Sequence, residues 1–381
     1  MGIFLFIVGV ILFILLVVIH ELGHAIAAKR NGVEVEEFGI GFPPRAWAKK
    51  LKNGVLFTLN WLPLGGFVKL KGESDDAKGE GTYGSASLWA KTKILLAGVA
   101  MNWVTAAVLF TGLAFVGLPQ VLEKQFTVAN DTQVLSQKVV VAEVVKDSPA
   151  SKVGLQTGDV ITKIGERNIA NARDLVDATK QQAGKTVAIT YQRGDKTETK
   201  NVTLQSDPAK GPLGIAPGEQ VLRRSTWSAP IVGVGVTAQL SWETVKGLGT
   251  SLWNLGTGIA SKLSVDEQSR SAGDRALEEA GSSVAGPVRI VQTLFQTADT
   301  NGLSGVLFII AIISLSLAVM NTLPIPALDG GRLFVTLLFR ATKKPLTKER
   351  EEAIHSTGFL VLIGIIILIS VLDVTKVASG S

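Results

Sequence analysis

Two histidines and a glutamate stand near the end of a long apolar stretch at the N-terminus. Residues 3–19 are apolar apart from one glycine, and the sequence H-E-L-G-H follows directly at positions 20–24. On a helix, residues four apart share one face, so His20 and His24 can bind one metal ion with Glu21 beside it as a base. The alternative is that neighbouring helices satisfy these side chains without any chemistry, but burying three such groups without a use is costly. The spacing therefore predicts a catalytic metal site with Glu21 as general base.

A zinc hydrolase site usually has three protein ligands and one open position for water. The chain has no cysteine and only three histidines, and the third, His355, lies in a charged stretch typical of a surface. The better candidate is Asp329 in the sequence N-T-L-P-I-P-A-L-D-G-G-R at 321–332, where two prolines end a helix and two glycines allow close backbone approach. Its alternative role is to cap the helix predicted over 332–340. We favour one Zn²⁺ ion held by His20, His24 and Asp329.

The composition indicates an integral membrane protein with a soluble part. Of the 381 residues, 46% are hydrophobic and 18% are charged, and apolar runs of about 20 residues are long enough to cross a bilayer. Four membrane spans are predicted, at about 3–28, 94–116, 303–320 and 357–372. The first is too long for a signal peptide and lacks a cleavage site before the H-E-L-G-H sequence, so we expect it to be retained.

Basic residues cluster beside the apolar spans, which is typical of cytoplasmic membrane loops and not of a nucleic-acid-binding face. We therefore expect a multi-pass membrane protein that places these basic loops in the cytoplasm and binds no nucleic acid. At about 1.5 Å per residue, His20 lies about 26 Å along the helix from Ile3, near the cytoplasmic side of a core about 30 Å thick. Asp329 reaches that side only if the stretch at about 230–263 does not cross. We therefore predict that this stretch is an interfacial amphipathic helix, where tryptophan is favoured.

Two further segments have β-type patterns. Residues 33–71 alternate apolar residues with glycine and proline breaks, which predicts a β-loop, either re-entrant beside the metal or an ordinary cytosolic hairpin. The polar run that follows, 71–84, predicts a mobile surface loop. Residues 120–206 predict a soluble α+β domain, and the pattern S-P-A-x-x-x-G-L-x-x-G-D-x-I within it resembles a PDZ domain of the circularly permuted bacterial type. Such a domain binds extended peptide by strand addition, and a spacer without bound peptide is the alternative.

Together, these motifs resemble the site-2 protease family of intramembrane zinc metalloproteases, in the bacterial branch that carries a PDZ insertion. The resemblance covers nearly the whole chain and depends most on the paired H-E-x-x-H and L-D-G sequences. It implies a location in the bacterial cytoplasmic membrane and cleavage of single-span membrane proteins, such as anti-sigma factors or signal-peptide remnants, within the lipid bilayer. In that mechanism zinc activates a water molecule, Glu21 takes its proton and later passes it to the leaving amine.

The same mechanism assigns weaker roles to residues near the metal. Asn321 and Asn102 are predicted to hydrogen-bond the substrate backbone or the oxyanion. The strand-like segment that contains Gly65, Gly66 and Phe67 is predicted to receive an unwound substrate by edge pairing. The competing hypothesis is a membrane-anchored PDZ scaffold whose metal site is inactive or structural.

The predicted architecture is an α-helical membrane protein with about four transmembrane helices, a membrane-associated β-loop and an inserted extracytoplasmic PDZ-like α+β domain. Its predicted parts are a first membrane part at 1–119, the PDZ-like domain at 120–206, a linker with the interfacial helix at 207–300, and a second membrane part at 301–381.

Overall fold

The computed structural model describes residues 2–194, 196–207, 211–262, 266, 271, 273, 293–294 and 302–379. The chain forms two compact units, one of Met1–Phe110 with Gly233–Ser381 and an inserted unit of Thr111–Val232. In chain order, the elements are α1 (Gly2–Arg30), β1 (Val35–Lys50), β2 (Leu56–Leu70), α2 (Leu88–Val116), β3 (Leu118–Pro119), β4 (Gln133–Val144), α3 (Pro149–Lys152), β5 (Val160–Ile164), β6 (Arg167–Asn168), α4 (Ala172–Gln181), β7 (Thr186–Arg193), β8 (Lys196–Thr203), β9 (Ile215–Arg224), α5 (Ala229–Lys262), α6 (Gly302–Thr322), α7 (Asp329–Ala341) and α8 (Lys348–Ser379).

Among the described residues, three helices are long and apolar enough to cross a membrane: α1, α2 and α6. They include the first three predicted spans. The predicted fourth span lies within α8 and the predicted interfacial segment lies within α5, so both are helical, while their positions in a bilayer stay predictions. Helix α2 begins at Leu88, before the predicted membrane span at about 94–116. Its first turns contain Lys91 and Lys93.

The membrane helices pack through apolar side chains that line the first unit. Leu5 and Leu16 of α1 form one buried cluster with Val306 and Ile310 of α6. Helices α2 and α6 meet where the Ser314 hydroxyl donates to the Asn102 carbonyl at 2.8 Å. In water, burying a leucine-sized side chain stabilises a fold by about 1.5–3 kcal/mol. Lipid tails are as apolar as leucine, so membrane helices are held together mainly by close packing and by such interhelical hydrogen bonds. These contacts hold α1, α2 and α6 together around the N-terminal motif.

Strands β1 and β2 form a two-stranded sheet that folds back on itself. Phe38 of β1 lies opposite both Val68 and Phe57 of β2, so the first half of β1 is flanked by two different parts of β2. The bend of the loop exposes large apolar side chains, with Trp61 71% exposed. This arrangement agrees with the predicted β-loop and leaves the outer edge of residues 66–70 unpaired among the described strands.

The segment at 71–84, for which the sequence predicts a mobile surface loop, is instead packed partly into the interior of the first unit. Tyr83 is fully buried, and its ring lies 5.1 Å below the Nζ atom of Lys91, which is also fully buried. The Lys91 ammonium pairs with the Asp75 carboxylate. Burial raises the pKa of the Tyr83 phenol above its ordinary value, so the hydroxyl stays neutral. Part of the polar composition of this segment therefore reflects ion pairs such as Lys91–Asp75, while Asp76, Lys78 and Glu80 are exposed.

Within the described part of the inserted unit, seven strands form one antiparallel sheet in the order β3-β9-β4-β5-β7-β8, with β6 paired to β5. The core under this sheet contains Ile161, Ile189 and Tyr191, all buried. Strands combined with the helices α3 and α4 agree with the predicted α+β composition of this domain. The sheet extends past the predicted boundary at residue 206, because β9 pairs along nearly the full length of β4.

The predicted linker at 207–300 therefore begins with a strand of the sheet. Pro217 and Gly218 weaken the strand pattern of β9, which explains why the predicted domain boundary lies before this strand. Most of residues 263–301 lie outside the described part of the chain.

Asp131 joins two segments of the inserted unit. Its carboxylate accepts hydrogen bonds from the backbone N–H and the hydroxyl of both Thr226 and Ser228, just before α5 begins. Desolvation raises the pKa of this carboxyl group, but the four donors more than offset it and hold the pKa at about 2. Asp131 therefore ties the segment before β4 to the end of β9.

Candidate metal centre

Helix α1 brings the two histidines of the motif to one face. His20 and His24 are each 9% exposed, and their Nε2 atoms lie 3.1 Å apart. The Nδ1 atom of His24 lies 2.7 Å from the Ile94 carbonyl oxygen of α2. A carbonyl oxygen only accepts, so Nδ1 of His24 carries the proton and its Nε2 presents a lone pair. In this tautomer His24 is prepared to bind a metal through Nε2.

Asp329 reaches the same point from the distant end of the chain. Its Oδ2 atom lies 3.2 Å from Nε2 of His20 and 3.3 Å from Nε2 of His24. The cap residue of α7 is Leu328, and no side chain caps that helix end. The alternative role of Asp329 as a helix cap is therefore not realised.

The turn before Asp329 needs its glycines. A Cβ atom at Gly331 would lie 1.8 Å from the Ile325 carbonyl oxygen, and one at Gly330 would lie 2.3 Å from the Thr322 carbonyl oxygen. Real Cβ atoms essentially never approach backbone so closely, so only glycine fits at both positions. The close approach lets α7 start directly beneath the end of α6 and carries Asp329 back to α1.

The three side chains fit one tetrahedral zinc ion. Ligands at about 2.0–2.1 Å from a tetrahedral zinc lie about 3.3 Å from one another, and the three measured separations are 3.1, 3.2 and 3.3 Å. The buried Oδ2 atom of Asp329 has no hydrogen-bond partner in the described part of the chain. Converging acceptor atoms repel one another unless a cation lies between them. This donor set matches the two nitrogen ligands and one oxygen ligand of catalytic zinc sites.

Helix α2 leaves room for both imidazoles at Gly98. A Cβ atom there would lie 2.4 Å from Nε2 of His24 and 2.8 Å from Nε2 of His20. One turn further on, the side-chain nitrogen assigned to Asn102 lies 3.3 Å from Nδ1 of His20. Asn102 is 1% exposed. The face of α2 that meets α1 therefore determines the space and the hydrogen bonds around both histidines.

Glu21 lies between the two histidines in sequence and faces strand β2. The backbone N–H of Val68 donates to its carboxylate, and a Cβ atom at Gly66 would lie 3.3 Å from its Cγ atom. The carboxylate is therefore next to both the three ligands and the segment predicted to receive substrate. This position is suitable for moving a proton between water and a peptide bound along β2.

A cleft of 920 Å³ opens beside Asp329. Asp329 lines it, together with Lys69 and Leu70 of β2 and residues 348–360 of α8. Water can therefore reach a centre that otherwise lies among apolar helices. A hydrolytic site needs such access.

Comparisons with known proteins show which family the chain belongs to. The sequence profile of peptidase family M50 matches residues 8–365. The chain belongs to peptidase family M50. A Clostridium perfringens (strain 13 / Type A) protein with a provisional zinc metalloprotease name is 31% identical over 361 residues, which cover 94% of this chain and 95% of the relative. The zinc metalloprotease RasP of Bacillus licheniformis is 25% identical over 451 aligned positions, which cover 96% and 98%.

Among solved structures, the PDZ domain of an SdrC-like protein from Listeria monocytogenes is 34% identical and covers 21% of this chain and 85% of that domain, with a TM-score of 0.19. As a member of family M50, the protein is a metalloendopeptidase, and the names of its relatives support zinc as the cofactor. It is a membrane protein with a bacterial type of sequence.

Arg332 anchors the helix that carries Asp329 in this M50 peptidase. Its guanidinium donates to Glu73 at 2.7 Å and to Glu351 at 3.3 Å, and lies 4.9 Å from the centre of the Tyr83 ring. Burial opposes the charge, but the Glu73 carboxylate raises the pKa of Arg332, so the side chain stays ionised. Sequence reasoning missed the contacts with Glu73 and Tyr83 because these residues lie more than 200 positions away in the chain, although the run D-G-G-R was visible.

The remaining predicted site residues fall in different places. Gly66 lies against Glu21, while a Cβ atom at Gly65 would meet the ring of Phe42 at 2.5 Å. Phe67 covers Gly39 on the neighbouring strand. Asn321 donates to the Leu317 carbonyl one turn back in α6 at 3.0 Å, so its amide nitrogen is engaged within its own helix. Its predicted substrate contact stays a prediction.

Proposed function

We propose that this M50 peptidase hydrolyses peptide bonds within the transmembrane segments of single-span membrane proteins, such as anti-sigma factors or signal-peptide remnants. The observation that carries the proposal is that Asp329 meets His20 and His24 at the C-terminal part of α1, an apolar helix long enough to cross a bilayer. A protease whose ligands lie on such a helix meets its substrate within the membrane. The basic residues in the last turn of α1, Lys29 and Arg30, support a site near the cytoplasmic side.

His20, His24 and Asp329 would hold one zinc ion. When bound, zinc supplies Lewis-acid polarisation of the substrate carbonyl and makes a water molecule more acidic. Glu21 takes the proton from the attacking water as a general base. It then delivers this proton to the leaving amine as a general acid. Its contact with the Val68 N–H holds the carboxylate beside β2.

Strand β2 supplies the binding edge for the substrate. A transmembrane helix hides its carbonyl groups in its own hydrogen bonds, so it must unwind before hydrolysis. The outer edge of residues 66–70 is unpaired among the described strands and lies next to Glu21. An unwound substrate that adds to this edge satisfies its backbone groups and presents a carbonyl to the metal. The inserted unit, placed outside the membrane, is proposed to bind extended peptide by strand addition.

The alternative function is a membrane-anchored scaffold with a structural metal. A structural zinc site usually closes with four protein ligands, and the described residues provide a group of three. The open fourth position favours catalysis.

Substitution of Glu21 by glutamine tests the proposal. Purified full-length protein is reconstituted in lipid vesicles with a single-span substrate, and cleavage and bound zinc are measured. Because the glutamine cannot accept the proton, Glu21→Gln should lower cleavage by at least about 100-fold while zinc stays bound. Glu243→Gln is the matched control, since Glu243 lies in an exposed ion pair on α5. Cleavage at the wild-type rate by Glu21→Gln, or no cleavage by the wild type, would contradict the proposal.

A further inference from the structure

Helix α2 presents three residues at a spacing of four to the metal centre. Ile94 accepts a hydrogen bond from His24, Gly98 leaves space for both imidazoles, and Asn102 lies next to His20. Residues four apart lie on one face of a helix. The same face therefore serves both histidines, and His20 is the one whose partner is a side chain.

The tautomer of His20 determines how the Asn102 amide is oriented. Nε2 of His20 faces Asp329 and His24, so this nitrogen must keep its lone pair in order to bind a metal. A neutral imidazole then carries its proton on Nδ1, the atom 3.3 Å from Asn102. That N–H needs an acceptor, but the atom placed there is the amide nitrogen Nδ2, which only donates.

An exchange of the two amide positions removes this conflict. Oxygen and nitrogen of an asparagine amide have nearly the same shape, and their assignment follows from the hydrogen-bond network. The Oδ1 atom of Asn102 is buried and has no hydrogen-bond partner in the described part of the chain. With the amide turned over, Oδ1 accepts from Nδ1–H of His20.

We propose that Asn102 is a positioning residue whose Oδ1 atom accepts the Nδ1–H hydrogen bond of His20 and so fixes the tautomer and ring orientation of this metal ligand. This inference rests on the proposed function. It assigns to Asn102 a role other than the predicted contact with substrate. The backbone of Asn102 is itself held by the Ser314 hydroxyl, which donates to the Asn102 carbonyl at 2.8 Å. The amide therefore projects from a fixed point between α2 and α6.

Zinc affinity tests the inference independently of catalysis. Full-length variants in detergent are titrated with a zinc chelator of known affinity. Loss of such a supporting partner typically weakens metal binding by about 10–100-fold, and we expect this loss in Asn102→Leu, which has no acceptor. Asn102→Asp keeps an acceptor at the same place and should bind zinc within about threefold of the wild type. Thr105→Val is the matched control, because Thr105 lies one turn further on and its hydroxyl donates to the Met101 carbonyl.

Nitrogen-15 NMR of histidine gives a second measurement that does not depend on how well a variant folds. The chain has three histidines, so the imidazole signals of the zinc-loaded wild type can be assigned by substitution. We expect a His20 Nδ1–H that is protected from exchange. Wild-type zinc affinity in Asn102→Leu, or a His20 protonated at Nε2, would overturn the inference. Absence of zinc from the wild type would instead overturn the proposed function.

Discussion

Replacing Gly98 with alanine should disable the metal centre while leaving helix α2 intact. The added Cβ atom would lie 2.4 Å from Nε2 of His24, and 2.7 and 2.8 Å from Cε1 and Nε2 of His20. Non-bonded heavy atoms prefer separations of about 3.5–4.0 Å, so both imidazoles would have to move by about 1 Å. Both rings are buried, and His24 is also held by the Ile94 carbonyl, so neither can move freely.

The expected loss follows from this displacement. Metal–ligand distances tolerate changes of about 0.2 Å, and a misplacement of about 1 Å typically lowers catalysis by about 100-fold. We therefore expect Gly98→Ala to weaken zinc binding at least about tenfold and to lower cleavage at least about 100-fold. Alanine is a better helix former than glycine by about 1 kcal/mol, so a weaker helix cannot be the cause of the loss.

Gly112→Ala is the matched control on the same helix, because a Cβ atom at Gly112 meets nothing within 4 Å. Zinc content, zinc affinity and cleavage of a reconstituted single-span substrate are measured for both variants, with thermal unfolding as a check on folding. The control should behave as the wild type in all four measurements. Wild-type zinc affinity and cleavage in Gly98→Ala would refute the placement of α2 against the two histidines.

Two more predictions concern stability instead of metal binding. Arg332→Leu leaves the buried Glu351 carboxylate without its counter-ion and should lower the free energy of unfolding by about 3 kcal/mol in a denaturation assay. Arg340→Leu is the control: it removes an exposed charge 3.9 Å from Asp75 and should lower the free energy of unfolding by at most about 1 kcal/mol. Equal losses would contradict the anchoring role of Arg332.

Because the pKa of Asp131 is lowered to about 2 from an unfolded value of about 3.9, its stabilisation is complete above that unfolded value and is lost as the pH falls through 2. Hydrogen exchange of residues 111–232 in the full chain should therefore be faster in Asp131→Asn than in the wild type at pH 5, with the difference shrinking towards pH 2; a difference independent of pH would contradict this.

The convergence of His20, His24 and Asp329 could be predicted from sequence. Two histidines four apart lie on one helix face and predict a metal site, and Asp329 lies in a turn whose prolines and glycines mark a break between two helices. The structure brings these three side chains together. The β-loop was also visible, since alternating apolar residues with glycine and proline breaks are typical of a hairpin.

Strand β9 could not be predicted with the same success. Pro217 and Gly218 interrupt its apolar pattern, yet they pair with Val141 and Val140 of β4. The pairing joins segments more than 70 residues apart in the sequence. The residue pattern of one segment does not reveal which distant strand it pairs with. The domain boundary was therefore placed before β9 instead of after it.

The supporting contacts of the centre were hidden for the same reason. Asn102 was predicted to lie near the metal, but a sequence does not specify which face of the second span meets α1. The polar segment at 71–84 was expected to be mobile, because Glu73 and Asp75 have no partners nearby in sequence. Their partners Arg332 and Lys91 become neighbours only in the folded chain.

Anomalous X-ray scattering at the zinc absorption edge, recorded from crystals of the full chain, tests the central claim most directly. One anomalous peak per chain is expected, within about 2.0–2.2 Å of Nε2 of His20, Nε2 of His24 and a carboxylate oxygen of Asp329. A zinc peak away from this triangle, or a peak at the two histidines with the Asp329 carboxylate turned to another partner, would contradict it.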